Sequence, residues 1–198
     1  MKIDIKTWEN AQDHECEEHA KNLRTEAYTP AALILADFMG MNLKEDFKDK
    51  TIVEVGSGPR GMLLLTEGNF KRGIVVEPLI DKWSSEIRET YEKLNIEIIT
   101  EPYENAKLES VDETWFFNVL QHVIDPEEQL KKAKKQSKVI RVFEPIDHPT
   151  NIMHPHLLTK ETFTKILGEF GQVYVGGSRS NFHQSNCYYG TWYASDNV

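Results

Sequence analysis

Thr51 to Gly61 read TIVEVGSGPRG, and the order of residue types in that stretch decides the fold. The β-branched run Thr51-Ile52-Val53 reads as a strand. It leads through Glu54 and Val55 into Gly56-Ser57-Gly58-Pro59-Arg60-Gly61, and then into the apolar, helix-compatible Met62-Leu63-Leu64-Leu65. In such a strand, turn and helix, glycines stand where the backbone takes positive φ or where a ligand must come close to it. Sixteen residues after Gly61, at the end of the apolar run Gly73-Ile74-Val75-Val76, stands a second acid, Glu77. A strand-end carboxylate about 20 residues past a glycine loop can hold both hydroxyls of a ribose. G-x-G-x-x-G alone also fits a surface turn. The preceding strand, the following helix and the spaced acid are what point to a nucleoside-containing ligand.

Outward from this stretch the chain alternates strand and helix. Strands are expected at 51–55, 73–77, 96–100, about 113–117 and 138–143, with helices at about 60–68, 81–94 and 126–135. The helix over 81–94 carries Ile80, Trp83, Ile87, Tyr91 and Leu94 at spacings of three and four, a core-facing stripe. Strands alternating with helices argue for βαβ units and a parallel sheet. After residue 156 Thr159 caps a helix running to about Glu169, and strand-like runs at 172–175 and 187–193 read as a hairpin added to one edge. Ahead of the sheet, residues 9–27 are polar and helix-compatible, with a sparse face of Ala11, Ala20, Leu23 and Ala27. Thr29-Pro30 reads as the opening of a buried helix to Met41. Residues 42–50 read as a charged linker. The division expected is a helical lid segment, 1–48, and a catalytic domain, 49–198.

The 198 residues suffice for one domain with a full core. Lys and Arg number 23 and Asp and Glu 32, giving a net charge of −9. The densest basic cluster, Lys131-Lys132-Ala133-Lys134-Lys135, follows Glu127 and Glu128 on one helix, where acids early and bases late complement the dipole. A solvated helix face therefore explains it better than a nucleic-acid patch, and an acidic chain is a poor binder of phosphate backbones. Cys16 and Cys187 form no metal or disulfide pattern. The N-terminus MKIDIKTWEN has no apolar signal, and no window approaches 18 apolar residues, so a soluble, cytoplasmic protein without a membrane partner is expected.

Glu54 bears on which nucleoside ligand is meant. A carboxylate just ahead of the first glycine would repel a pyrophosphate and suit a cation. S-adenosylmethionine is cationic at its sulfonium and ammonium and carries no phosphate. At this point the chain resembles the class I S-adenosylmethionine-dependent methyltransferases of the small-molecule type, over about residues 51–170. The matching pieces are VEVGSGPRG, IVVEP and ETWFFNVLQHVIDPEEQLKKA, the last with its Val119-Leu120-Gln121-His122-Val123-Ile124-Asp125-Pro126 run; HPHLLTKETFTKILGEFG also resembles the family's last helix. The resemblance implies an α/β, Rossmann-like, doubly wound seven-stranded sheet, mostly parallel with an antiparallel last strand, plus the N-terminal helical lid. It implies that Glu54, Gly56, Gly58 and Gly61 surround the methionine part. Glu77, with Pro78 beside it, would take the ribose. The turn Glu101-Pro102-Tyr103-Glu104 would cover the adenine, and Asn118 would sit near the sulfur. Pro59-Arg60 departs from the family's tighter loop, and Arg60 is a candidate for the cofactor's carboxylate. Tyr103 is a candidate for stacking on the cofactor.

Methyl transfer is an in-line displacement that needs alignment and exclusion of water, and a base only if the nucleophile arrives protonated. His122, just past strand four, is the candidate catalytic base; packing at a helix start is the alternative role. His148, His154 and His156 crowd the segment after strand five, and with Asp147 they offer metal-donor types. The spacing D-H-x₅-H-x-H matches no standard site, so no metal is assigned. His148, His154, His183 and Tyr28 are the substrate-facing candidates, with Trp8 and Arg24 as further lid residues. Asn118-Val119-Leu120-Gln121 lacks the Pro-Pro-aromatic continuation of adenine-N6 enzymes, and neither cysteine follows a proline, so a small-molecule acceptor at oxygen, nitrogen or carbon is favoured. Competing readings are an RNA or protein methyltransferase working through a partner, a nicotinamide-dependent reductase, for which Tyr91-Glu92-Lys93 has the wrong spacing, and a non-catalytic cofactor-binding module.

Overall fold

In the computed structural model, which describes residues 2–22, 28–176 and 185–195, seven strands form one sheet in the order β3-β2-β1-β4-β5-β7-β6. The strands are β1 (Thr51–Val55), β2 (Arg72–Val76), β3 (Ile96–Ile99), β4 (Val111–Phe117), β5 (Ser137–Pro145), β6 (Gly171–Tyr174) and β7 (Cys187–Tyr193). The first five are parallel, and β7 inserts antiparallel between β5 and β6. Strand order reverses between β1 and β4, so the carboxyl ends of β1, β2 and β4 open one crevice, the place where such sheets bind ligands.

The helices are α1 (Ile5–Asn22), α2 (Tyr28–Phe38), α3 (Ser85–Glu92), α4 (Pro126–Gln136) and α5 (Lys160–Leu167). They cover both faces. Val53, Ile74, Phe116 and Val142 meet Leu130 and Ala133 of α4 and Phe163 and Ile166 of α5. On the other face Ile52, Val75 and Trp115 meet Ala36 of α2 and Ile87 and Tyr91 of α3. Burial on both faces explains why β1 and β2 are continuous apolar runs rather than alternating ones. Asp125 caps α4 by accepting from the Glu127 and Glu128 amides, with Pro126 in the first turn, and Thr159 caps α5 through a capping box.

Several expectations need correction. The helix expected at 60–68 is one 3-10 stretch, Met62–Thr66, because Glu67 (φ 54°) and Gly68 (φ 82°) turn left-handed directly after it. The helix expected over 81–94 breaks at Trp83-Ser84 into a 3-10 turn, Ile80–Lys82, and α3; Ile80, Trp83, Ile87 and Tyr91 are buried as expected. Helix α2 starts at Tyr28, so Thr29-Pro30 lie inside its first turn. In α1, Ala11 is buried but Ala20 is exposed, while Leu23 and Ala27 fall outside the described residues. Residues 42–50 are charged, yet Leu43 and Phe47 are buried, with the Phe47 ring 5.0 Å from that of Trp115. Among the described residues no helix is long and apolar enough to cross a membrane.

Candidate functional site

The crevice is built by registry. Val55 pairs with Val76 on one side and Phe116 on the other, so Gly56, Glu77 and Phe117-Asn118 emerge side by side. Each exit is pinned to its neighbour: Gly56 N–H donates to Val76 O (2.8 Å), Glu77 N–H to Ile99 O (2.9 Å) and Asn118 N–H to Phe143 O (2.8 Å). Gly56 takes φ +64°, and a Cβ there would lie 2.0 Å from Val119 Cγ2. Glycine therefore lets the loop after β1 close onto the loop after β4. Asn118 itself sits at φ +59°, a region asparagine tolerates better than most residues.

The two acids divide their work. Glu54 is buried behind the glycine loop, its carboxylate accepting from the Met62 (2.7 Å) and Leu63 (2.8 Å) amides. A Cβ at Gly61 would come within 2.4 Å of it, so Gly61 is a close-packing glycine, and neither residue lines the cleft. The expectation that Glu54 faces a cationic ligand is thus replaced by a brace for the loop. Burial pushes its carboxyl up to about 7 against the pull of those amides. Glu77 does line the cleft. One of its oxygens accepts from Gly58 N–H (2.8 Å) and the other from Leu79 N–H (2.9 Å), and burial raises its pKa. A carboxylate offers about four acceptor positions, so capacity remains beyond these two amides. Tyr91 is fully buried under the loop, accepting from Gly61 N–H (2.7 Å) and donating to Gly58 O (3.4 Å), which is no place for a reductase proton donor.

Pro78, Gly58, Arg60, Asn118 and His122 line the same cleft. Tyr103 borders it, but its ring is 1% exposed, edge-on to Phe116 and beneath the Lys132 ammonium (4.6 Å), which leaves no face for stacking. Among the described residues, the buried side-chain polar atoms without a hydrogen-bond partner are Trp83 Nε1, Glu104 Oε2 and Gln129 Oε1. All three residues line this cleft. Unpaired buried groups are costly, and these three belong to residues of one cleft.

The sequence reading missed most of the roof. Trp8, Gln12, Glu15 and His19 stand at spacings of four, three and four along α1 and line the cleft together. Gln12 Nε2 donates to His122 O (3.2 Å), and Lys82 pairs with Asp13 (2.8 Å). The cavity beneath is about 230 Å³. That is below the roughly 300–1,000 Å³ of sites that enclose a drug-sized ligand, so the cleft beneath α1 is small.

His122 is buried; Nδ1 donates to Met153 O (3.0 Å), leaving Nε2 to accept from the Gln121 amide (3.3 Å). Burial pushes its pKa down to about 4, so it is neutral at pH 7. The expected histidine cluster divides. His154 reaches the His122 ring (centroids 4.7 Å apart), and His148 is one ring further out (5.5 Å from His154), bonded to Pro149 O. His156 turns inward to Val123 O (2.7 Å). Tyr28 begins α2, but its side chain, like Arg24 and His183, lies outside the described residues. Glu144, unmarked in the sequence reading, is buried near the end of β5 and accepts from the Val119 and Leu120 amides, fixing the turn that carries Asn118.

No family model matches the chain, and no curated protein matches it either. Solved structures do. The chain is similar, at 12% identity and a TM-score of 0.63, to the Burkholderia thailandensis 1,6-didemethyltoxoflavin-N1-methyltransferase with bound 1,6-didemethyltoxoflavin and S-adenosylhomocysteine, covering 98% of this chain and 94% of that one. A possible histamine N-methyltransferase from Thermotoga maritima gives 17% identity and a TM-score of 0.59, covering 96% and 100%. Haemonchus contortus phosphoethanolamine N-methyltransferase 1, with phosphoethanolamine and S-adenosylhomocysteine, gives 12% and 0.67, covering 99% of this chain and 51% of that one. The fold is that of the class I S-adenosylmethionine-dependent methyltransferases. S-adenosylhomocysteine, held by two of these neighbours, is the product of S-adenosylmethionine, the cofactor expected from Glu54 and the family resemblance.

Proposed function

We propose that the chain binds S-adenosyl-L-methionine in the crevice beneath α1 and transfers its methyl group to a small molecule, at an oxygen, nitrogen or carbon atom. The observation that carries this is the Glu77 carboxylate, at the carboxyl end of β2, in one cleft with Gly58, Arg60 and Asn118 and with the three unpaired polar atoms. Glu77 would take the ribose hydroxyls. Glu104 Oε2 and Gln129 Oε1 are acceptors suited to the adenine amine, and Arg60, which makes no ion pair among the described residues, suits the cofactor's carboxylate. Asn118 would lie near the sulfur. Residues 1–48 act as the lid in this reading and 49–198 as the methyltransferase domain. The displacement needs alignment and a dry site, which α1 supplies. His122, neutral at pH 7, faces the acceptor, and as a base it is weak; His154, His148, Tyr28 and His183 are the further acceptor-side candidates. A cytoplasmic location and independence from nucleic acid and membrane complete the reading, supported by the acidic balance.

The test is calorimetric titration with S-adenosylmethionine and S-adenosylhomocysteine, with NADH as comparator and Glu77→Ala alongside. Micromolar binding by wild type, lost in the variant, is expected. Binding of NADH in place of S-adenosylmethionine would overturn it in favour of the reductase.

A further inference from the structure

We propose that Glu15, His122 and His154 form a binding site for a divalent transition cation of the zinc type, at the α1 side of the cleft. The three come from separate elements: α1, the 3-10 turn Leu120–His122 after β4, and the segment after β5. One donor atom from each lies within 4.8 Å of the others, and Glu15 Oε2 is 3.6 Å from His122 Nδ1. Tetrahedral zinc with bonds of about 2.0–2.1 Å holds its ligand atoms about 3.3 Å apart. The trio therefore needs to contract by up to about 1.5 Å on its longest side, within reach of side-chain rotation. Two imidazoles and a carboxylate select zinc-like cations over magnesium or calcium, which prefer all-oxygen shells. Three protein ligands leave a fourth position open, the arrangement of catalytic rather than structural zinc.

The surroundings hold the carboxylate in place, and the two rings exchange partners on binding. The other Glu15 oxygen pairs with His19 (3.0 Å), whose ring packs edge-on to Trp83 (5.5 Å). His154 Nδ1 accepts from the Asn151 side-chain amide (3.1 Å), whose oxygen is fixed by the Met153 and His154 amides (2.9 Å each); coordination through His154 Nε2 puts a proton on Nδ1 and displaces that amide. Coordination through His122 Nδ1 gives up its bond to Met153 O and moves the ring proton to Nε2. The Gln121 side chain, turned over about its amide, then accepts that proton, and Asn118, its present partner and an exposed residue, can turn with it. A bound cation would fasten α1 to both loops, so that the roof of the cleft closes on metal.

The test needs no methyl transfer and stands apart from the cofactor titration. The full chain, stripped with chelator and desalted, is titrated with Co²⁺ and followed by its visible ligand-field absorption, then challenged with Zn²⁺. The expected result is uptake of one Co²⁺ per chain with tetrahedral-type intensity, displacement by Zn²⁺, and a rise in melting temperature. Uptake should be lost in Glu15→Gln and in His154→Ala, each checked by thermal melt to be folded, and retained in His148→Ala. Absence of stoichiometric uptake by wild type overturns the proposal. So does uptake that survives both Glu15→Gln and His154→Ala.

Discussion

Replacing Gly56 by alanine tests whether the crevice is closed by the contact between the loops after β1 and β4. The new methyl group meets two separate penalties. Its φ of +64° is left-handed, costing a non-glycine residue about 1 kcal/mol. Its Cβ would stand 2.0 Å from Val119 Cγ2, and forcing a side chain aside in a packed interior costs about 1–3 kcal/mol. Together they predict a loss of about 2–4 kcal/mol, and for a chain of 198 residues a fall in melting temperature of roughly 5–15 °C. Gly58→Ala is the internal control. Its φ, +60°, is nearly the same, but its nearest neighbour is His19 Cε1 at 3.8 Å, an ordinary contact. It should lose only the backbone part, about 1 kcal/mol. Calorimetric melts of both variants, and of each combined with Val119→Ala, separate the terms. Removing the Val119 methyl groups takes away the 2.0 Å clash but leaves Val119 Cβ at 2.9 Å, so it should rescue Gly56→Ala in part, by about 1 kcal/mol or more of interaction energy, and leave Gly58→Ala unaffected. Equal losses for the two glycine variants, or additivity of Gly56→Ala with Val119→Ala, would refute the loop-contact account.

Three further outcomes follow from the same geometry. Burial holds Glu144 up to about 8 against an ordinary 4.5, so the folded chain keeps its proton longer than the unfolded one, and stability is lost as pH rises through that window. From about pH 6 to about pH 8 this group should lower unfolding free energy by about 2 kcal/mol, and the difference between wild type and Glu144→Gln in denaturant melts should show it, since Glu54 titrates in both; parallel pH profiles would count against it. Lys132 Nζ donates to the carbonyls of Tyr103, Glu104 (3.3 Å) and Ala106 (2.6 Å), so Lys132→Met should cost about 1–3 kcal/mol and weaken adenosine binding through the displaced turn, whereas unchanged adenosine affinity would separate that turn from the ligand. Amide exchange in α1 should slow on binding of S-adenosylhomocysteine, and identical exchange with and without ligand would mean that α1 is no lid.

Much of the sheet was legible because its signal is local. A parallel strand covered on both faces must be an apolar run, and β1 has the bounds its residue types imply, as does the antiparallel, aromatic β7. Helices were less so where tertiary contacts override the pattern. Met62-Leu63-Leu64-Leu65 looks like the start of a helix, but the Glu54 carboxylate takes two amides of its first turn, and Glu67 and Gly68 end it at once. The roof of the site was hidden for a different reason. Trp8, Gln12, Glu15 and His19 are mostly polar, so their stripe reads as solvent-facing, whereas the surface they meet is a polar cleft. Their four-three-four spacing was the available signal. The meeting of His122 with His154 had none, since 32 residues and a whole strand separate them and only the fold removes that distance.

Glu54 and Glu77 show where residue type stops and geometry begins. Both are strand-end acids beside the glycine loop, both are buried, and both accept two backbone amides. Chemistry alone would assign them the same task. What differs is direction. Glu54 binds Met62 and Leu63 on the far side of the loop, with its carboxylate against Gly61 and outside the cleft. Glu77 binds Gly58 and Leu79 from within the cleft, so any diol it receives shares the carboxylate with the amide of the loop itself. Ligand capture and loop conformation are then coupled through one side chain. Tyr91, which touches both Gly58 and Gly61, ties the part of the loop that Glu77 holds to the part that Glu54 braces from behind. Glu54 thus holds the residues that follow the loop, Met62 and Leu63, while Glu77 holds Gly58 within it.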